Sequence, residues 1–273
     1  MKLAVSNLAW PPADEPAVAS ALDDLAVTGV EIAPTVLWPR PLEAAASELD
    51  RCRRTWASRG IGIVAIQSLL FGRPDLTIFE AAETRRATLD YLTGMIRVAA
   101  ALGARVLVFG SPGNRRVGQL PREEAGMIAE DFFRSVGEAA AAHGVIFAIE
   151  PNPPEYGCDF VTTSAEGAAL VRAVDHPGFG LHLDSGGLTL AAEPLDERLS
   201  ACADLVRHFH VSEVNLALIG TGSVAHDEIG AALRRVHYDG WISIEMKAAP
   251  GEESAARVRR AVSAARAAYR VAG

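Results

Sequence analysis

The chain has 273 residues, 49% of them hydrophobic, and 26 Lys plus Arg against 34 Asp plus Glu give a formal charge of −8. That apolar content suffices for one large core, and the negative field repels phosphate backbones, which argues against a nucleic-acid partner. No apolar run reaches the roughly 18 residues of a membrane span, which argues against a membrane partner.

The opening segment, MKLAVSNLAWPPADEP, carries one Lys and a short apolar patch that Ser6, Asn7 and PPADEP break too early for a secretory leader. Cys52, Cys158 and Cys202 lie far apart without CxxC spacing. They read as thiols in a reducing compartment, the cytoplasm, with Cys158 a quiet one.

In chain order, short β-branched runs recur at LAVSN (3 to 7), GVEIAP (29 to 34), IGIVAIQS (61 to 68), RVLVFGS (105 to 111), VIFAIE (145 to 150), FGLHLDS (179 to 185), VRHFHVS (206 to 212) and WISIEM (241 to 246). Ala-rich segments of helical period lie between and after them, at 15 to 42 (helix to about Val27), 42 to 58, 76 to 102, 121 to 143, 163 to 174, 194 to 204, 226 to 237 and 252 to 271. Strict alternation implies parallel strands joined by crossover helices, and eight units fit a single-domain (β/α)8 TIM barrel over residues 1–273. A doubly wound sheet would place a Gly-rich phosphate turn after its first strand, where this chain reads NLAWPP. Gly29, Gly60, Gly103 and Gly144 each stand just before a strand, where a helix C-cap is expected. The last helix carries Arg257, Arg259, Arg260, Arg266 and Arg270 among Ala and Val, the pattern of a solvated face packed on a core.

In such a barrel every strand opens its C-terminal end onto one face. Strand five ends in Glu150, six in Asp184, seven in His210 and eight in Glu245, four metal-ligand side chains on four consecutive strands. Three carboxylates crowded together repel one another, and a divalent cation removes the conflict. Three oxygen donors and one imidazole favour Mn²⁺, Mg²⁺ or Co²⁺ and allow Zn²⁺. By strand alternation His182 and His208 share the inner face with Asp184 and His210, where they are expected to hydrogen-bond and orient ligands rather than bind the metal.

The strand-end set EPNP, HLDSG, HFHVSE and SIEMK, with NLAW, QSLLFG and VFGSPGNRR in the first half, resembles the sugar phosphate isomerase/epimerase family of xylose-isomerase-like TIM barrels over nearly the whole chain. The resemblance implies one divalent metal on Glu150, Asp184, His210 and Glu245. It implies that Glu150 and Glu245 are the catalytic acid/base pair on opposite faces of a small carbohydrate substrate. Metal-held carbonyl and hydroxyl oxygens would acidify the C–H between them and favour proton transfer through an enediolate. It also implies a homodimer or higher homo-oligomer.

Epimerase members of that family carry a His three residues after the aspartate and an Arg after the strand-seven motif, where this chain has Gly187 and Leu216. The class is thus assigned and the substrate left open, with an inosose-type dehydratase as the alternative. An AP-endonuclease-like phosphodiesterase would need further histidines where Gln67 and Ser111 stand. Gln67, Ser111, Asn114, Arg115, Asn152 and Glu155 are candidates for substrate binding, and Ser6 or Trp10 for lining the pocket. His226 is read either as reaching the rim or as a surface residue at a helix start.

Overall fold

The computed structural model describes residues 1–271. Eight strands, β1 (Lys2–Ser6), β2 (Gly29–Ile32), β3 (Gly62–Ile66), β4 (Val106–Phe109), β5 (Ile146–Ile149), β6 (Phe179–Asp184), β7 (Val206–Ser212) and β8 (Trp241–Glu245), close into one parallel barrel in sequence order. Around it run α1 (Glu15–Asp24), α2 (Pro34–Leu37), α3 (Ala46–Ala57), α4 (Ala82–Leu102), α5 (Arg122–Ala142), α6 (Ser164–Val174), α7 (Ser185–Leu190), α8 (Leu195–Cys202), α9 (His226–Arg235) and α10 (Ser254–Tyr269). The structure is the single (β/α)8 barrel that the alternation implies. Its elements run from Lys2 to Tyr269, and residues 272 and 273 lie outside the described residues.

The helix expected from residue 76 begins only at Ala82. The segment before it is a loop that is itself tied down, because Thr88 Oγ1 donates to the Thr77 carbonyl at 2.9 Å. α2 and α7 are short helices within strand-to-helix connections, too brief for a periodic signal. Gly60, Gly103 and Gly144 adopt left-handed φ at the ends of helices, as C-capping requires. Gly29 does not. A Cβ there would stand 2.5 Å from the Trp241 ring, so Gly29 makes room for the indole that plugs the bottom of the barrel.

Ala4, Val64, Ala65, Val106, Val108 and Ala148 form an apolar cluster with Trp241 against it. Outside, Phe109 of β4, Phe147 of β5 and Phe179 of β6 pack on Phe133 of α5, with ring centroids 5.9, 6.4 and 5.0 Å away. Truncating fully buried Phe133 to Ala would cost about 3–5 kcal/mol and loosen the strands that carry Glu150 and Asp184. The arginines of α10 tie it to α1: Arg259 pairs with Asp24 at 2.5 Å, and Arg266 donates to the Leu25 carbonyl. Arg257 is buried beside Glu252.

Two register shifts set the site. Leu181 pairs with Val206 but His182 pairs with His208, so β7 has one extra residue, exposed Arg207. That bulge keeps Val206 on the helix side while His208, His210 and Ser212 all face inward with His182 and Asp184. The second shift inserts Val64 in β3 opposite Val30 and Glu31, while ordinary alternation along β2 turns Glu31 to the interior, where it is wholly buried.

Candidate metal centre

One ligand atom each from Asp184, His210 and Glu245 lie within 4.8 Å of one another, and His210 Nδ1 is 3.3 Å from Glu245 Oε2. A second group with the same spacing joins Glu150, His182 and His210, with His182 Nε2 3.7 Å from Glu150 Oε1. His210 belongs to both. The residues expected as ligands therefore surround one imidazole as two overlapping groups, and His182 stands among them, closer to the ligand positions than an orienting role requires.

Asp184 is held from two sides. It is the N-cap of α7, its Oδ1 accepting from the Gly187 amide at 2.6 Å, while Oδ2 accepts from Ser212 Oγ at 2.5 Å. An ionised carboxylate has acceptor capacity beyond these two bonds. The short helix therefore fixes the carboxylate without exhausting it.

Burial, then the charges of Asp184 and Glu245, push Glu150 up to about 8, although His210 and Arg115 pull the other way. Burial and Glu245 push Asp184 up to about 6 against His210 and its two hydrogen-bond donors. Burial would depress His210, but Glu31 and Glu245 hold it well above the ordinary imidazole range. Buried carboxylates that resist ionisation next to one another are the groups a divalent cation would relieve.

The donor chemistry fits such an ion. Among the described residues, His210 Nδ1 and both ring nitrogens of His182 are buried without a hydrogen-bond partner. The side chains of Glu150 and Glu245 remain 14% and 12% exposed, so solvent still touches both carboxylates.

The structure places the residues expected to bind substrate in different surroundings. Gln67 is buried and donates to Ser6 Oγ at 2.7 Å. Asn114 spends its amide on the Arg73 and Leu76 carbonyls, each at 2.7 Å. Arg115 is wholly buried, donating to the Glu150 carbonyl at 2.6 Å and to Asn152 Oδ1 at 3.1 Å. These side chains brace the strand tips because loop backbone at the mouth leaves carbonyls that need donors. Trp10 packs into the outer core 6.4 Å from Trp56. His226 is buried rather than at the rim, between Tyr269 at 3.0 Å and Glu213 at 3.3 Å. Glu155 is exposed. Ser111 and Asn114 line an open cavity of about 410 Å³ with Ser68, Phe71 and Arg73.

Three further residues belong to the site. Tyr156, next to Glu155, has its phenol pushed up by burial and by the charges of Asp184, Glu150 and Glu245. Buried Glu213 accepts from the Gly220 and Val224 amides at 3.0 and 3.3 Å and so folds the loop after β7. Glu31 accepts from His208 and His210 at the foot of the site. Its signal was present in GVEI, an apolar run interrupted by a carboxylate that alternation sends inward.

Residues 19–267 match the family model described as a xylose isomerase-like TIM barrel. A ketose 3-epimerase of Arthrobacter globiformis is 28% identical over 90 residues, 33% of this chain and 31% of that protein. The chain matches about a third of the length of the curated relatives, between 29% and 38% for four of them. In fold it resembles the D-psicose 3-epimerase of Clostridium cellulolyticum H10 solved with D-tagatose (TM-score 0.82, 16% identity, 98% of this chain and 99% of that one). It also resembles the IOLI protein solved with a zinc atom (TM-score 0.77, 18% identity, 99% of this chain and 100% of that one). The matched model takes in most of the chain and the closed barrel agrees with it: the protein belongs to the xylose isomerase-like TIM barrel family.

Proposed function

We propose that this protein is a metal-dependent isomerase or epimerase of a sugar, sugar phosphate or related polyhydroxy carbonyl compound, with Glu150 and Glu245 as its acid/base pair. The observation that carries the reading is the gathering of Glu150, Asp184 and Glu245 around His210 at one end of the barrel. Asp184, His210, Glu245 and Glu150 would hold a divalent cation, Mn²⁺, Mg²⁺, Co²⁺ or Zn²⁺, which when bound supplies polarisation of a carbonyl and acidification of the adjoining C–H.

The chain's own contribution is proton handling. Glu150 ends β5 and Glu245 follows three strands later in the ring of eight, so the two carboxylates reach the mouth from different sides. Burial pushes Glu150 up to about 8 in the metal-free protein and a bound cation would draw it back down, so the two opposing effects would leave a carboxylate that can take up and return a proton near neutrality. Arg115 holds the Glu150 carbonyl and Asp184 is clamped by Gly187 and Ser212, so the pair works from a rigid frame.

The test is deuterium uptake at carbon from D₂O, screened over ketoses, inososes and their phosphates with each cation. Metal-dependent exchange by the native protein, lost in both Glu150→Gln and Glu245→Gln, is the expected result. Full exchange in either variant removes that residue from the pair, and loss of water from the substrate would assign dehydration instead.

A further inference from the structure

Glu31 is a carboxylate of the barrel interior that meets the proposed ligand His210 from the side away from Glu245, in a group of ligand spacing with His208 and His210. It is wholly buried, and its Oε2 stands 3.3 Å from His208 Nε2 and 3.0 Å from His210 Nε2, with Oε1 3.1 Å from the same His210 nitrogen. A buried carboxylate without such partners would be strongly disfavoured. One ionised group with two oxygens can accept from both rings, which a neutral amide or a peptide carbonyl does less well.

The two edges of the His210 ring meet different surroundings. Nε2 faces Glu31, whereas Nδ1 faces Glu245 Oε2 at 3.3 Å and has no hydrogen-bond partner among the described residues. A carboxylate only accepts, so the Nε2 edge must carry the hydrogen. In a neutral imidazole the lone pair is then left on Nδ1, the edge shared with Asp184 and Glu245. The ring is also gripped from both neighbours: His182 lies edge-on at 4.1 Å between centroids, and His208 at 5.5 Å is held by the same Glu31.

We infer that Glu31 is a positioning residue that fixes the Nε2–H tautomer and the orientation of His210, so that Nδ1 is presented to a divalent cation between Asp184 and Glu245. The inference rests on the metal-dependent reading above. It adds that β2, which offers no ligand of its own, governs metal affinity from across the barrel. Glu31 also raises the electron density on the imidazole, so its loss weakens binding even where the ring keeps its place.

The experiment uses the full-length protein stripped of metal. Zn²⁺ affinity is measured by chelator competition for the native protein, Glu31→Gln and, as a control for direct ligand loss, Asp184→Asn, alongside thermal unfolding without metal. Proton–nitrogen correlation spectra of ¹⁵N-histidine protein loaded with Zn²⁺ identify the protonated nitrogen of His210, assigned with His210→Gln. The expected result is Zn²⁺ at Nδ1 with hydrogen at Nε2 in the native protein, and affinity about 10- to 100-fold weaker in Glu31→Gln. A purely structural Glu31 would lower metal-free thermal stability and leave the affinity unchanged. Equal affinity in Glu31→Gln, or zinc on Nε2, overturns the inference while leaving the metal site standing. No Zn²⁺, Mn²⁺ or Co²⁺ uptake by the native protein would overturn both readings together.

Discussion

The Glu150 carboxylate lies directly over the Cα of Gly110: a Cβ at that position would stand 2.3 Å from Oε2 and 3.4 Å from Asn152 Oδ1. The tip of β4 is thus bare so that the tip of β5 can carry its acid inward. Gly110→Ala must displace either the backbone or the carboxylate. A shift of about 1 Å in a reacting group can lower turnover about 100-fold. That loss is expected in the deuterium-exchange assay, with circular dichroism unchanged.

Ser212 and Asp184 make a second such pair. Ser212 Oγ donates to Asp184 Oδ2 and accepts from the Gly186 amide at 3.1 Å, joining β7 to the start of α7. Ser212→Ala would free one oxygen of the proposed ligand and leave the Gly186 amide without its acceptor. The expected outcome is a loss of about 1–3 kcal/mol in chemical denaturation. Metal affinity should fall about tenfold or more in titration.

These pairs show where sequence reading succeeds and where it stops. Glu150, Asp184, His210 and Glu245 could be placed because each ends an apolar β-branched run, and a parallel barrel turns all such ends to one face. Glu31 sits inside its run rather than at the end: alternation sends it inward, but only its distant partners His208 and His210 give it a place there. The intramolecular bonds of Arg115 and Asn114 could not be read, because loop residues carry no period that says which way they point. α7 was missed because DSGGL has no helical pattern: it starts where Asp184 caps it.

The pH dependence of the metal-free protein has a definite sign. Glu150 is raised from 4.5 to about 8, so the stability it contributes is complete below 4.5 and is lost as pH rises through 8. His210, also raised, acts in the same sense above 6.5. His182 is depressed by burial and acts in the opposite sense, but only below 6.5. Between pH 6.5 and 8 the first two govern, and thermal stability of the metal-free protein is expected to fall. Glu150→Gln should flatten that fall. Because a cation displaces these protons, its affinity should rise about tenfold per pH unit for each proton released. Melting curves at several pH values, with chelator and with Mn²⁺, check both.

Arg115 acts on the proposed acid in the opposite direction, as a wholly buried guanidinium bonded to the Glu150 carbonyl. Its Nη2 serves the Glu150 carbonyl and Asn152 Oδ1, and its charge draws Glu150 down against burial and Asp184. Arg115→Met keeps volume and removes both effects. Two buried acceptors lose their donor, at about 1–3 kcal/mol each. Glu150 should then titrate still higher, so the acidic limb of the exchange-rate profile moves to more alkaline pH. Arg115→Lys restores a charge on a shorter side chain that lacks the planar guanidinium whose Nη2 meets both acceptors. It should return the limb toward its native position while recovering less of the stability. A profile that does not move in Arg115→Met would show that Arg115 braces the strand tip and leaves the acid untouched.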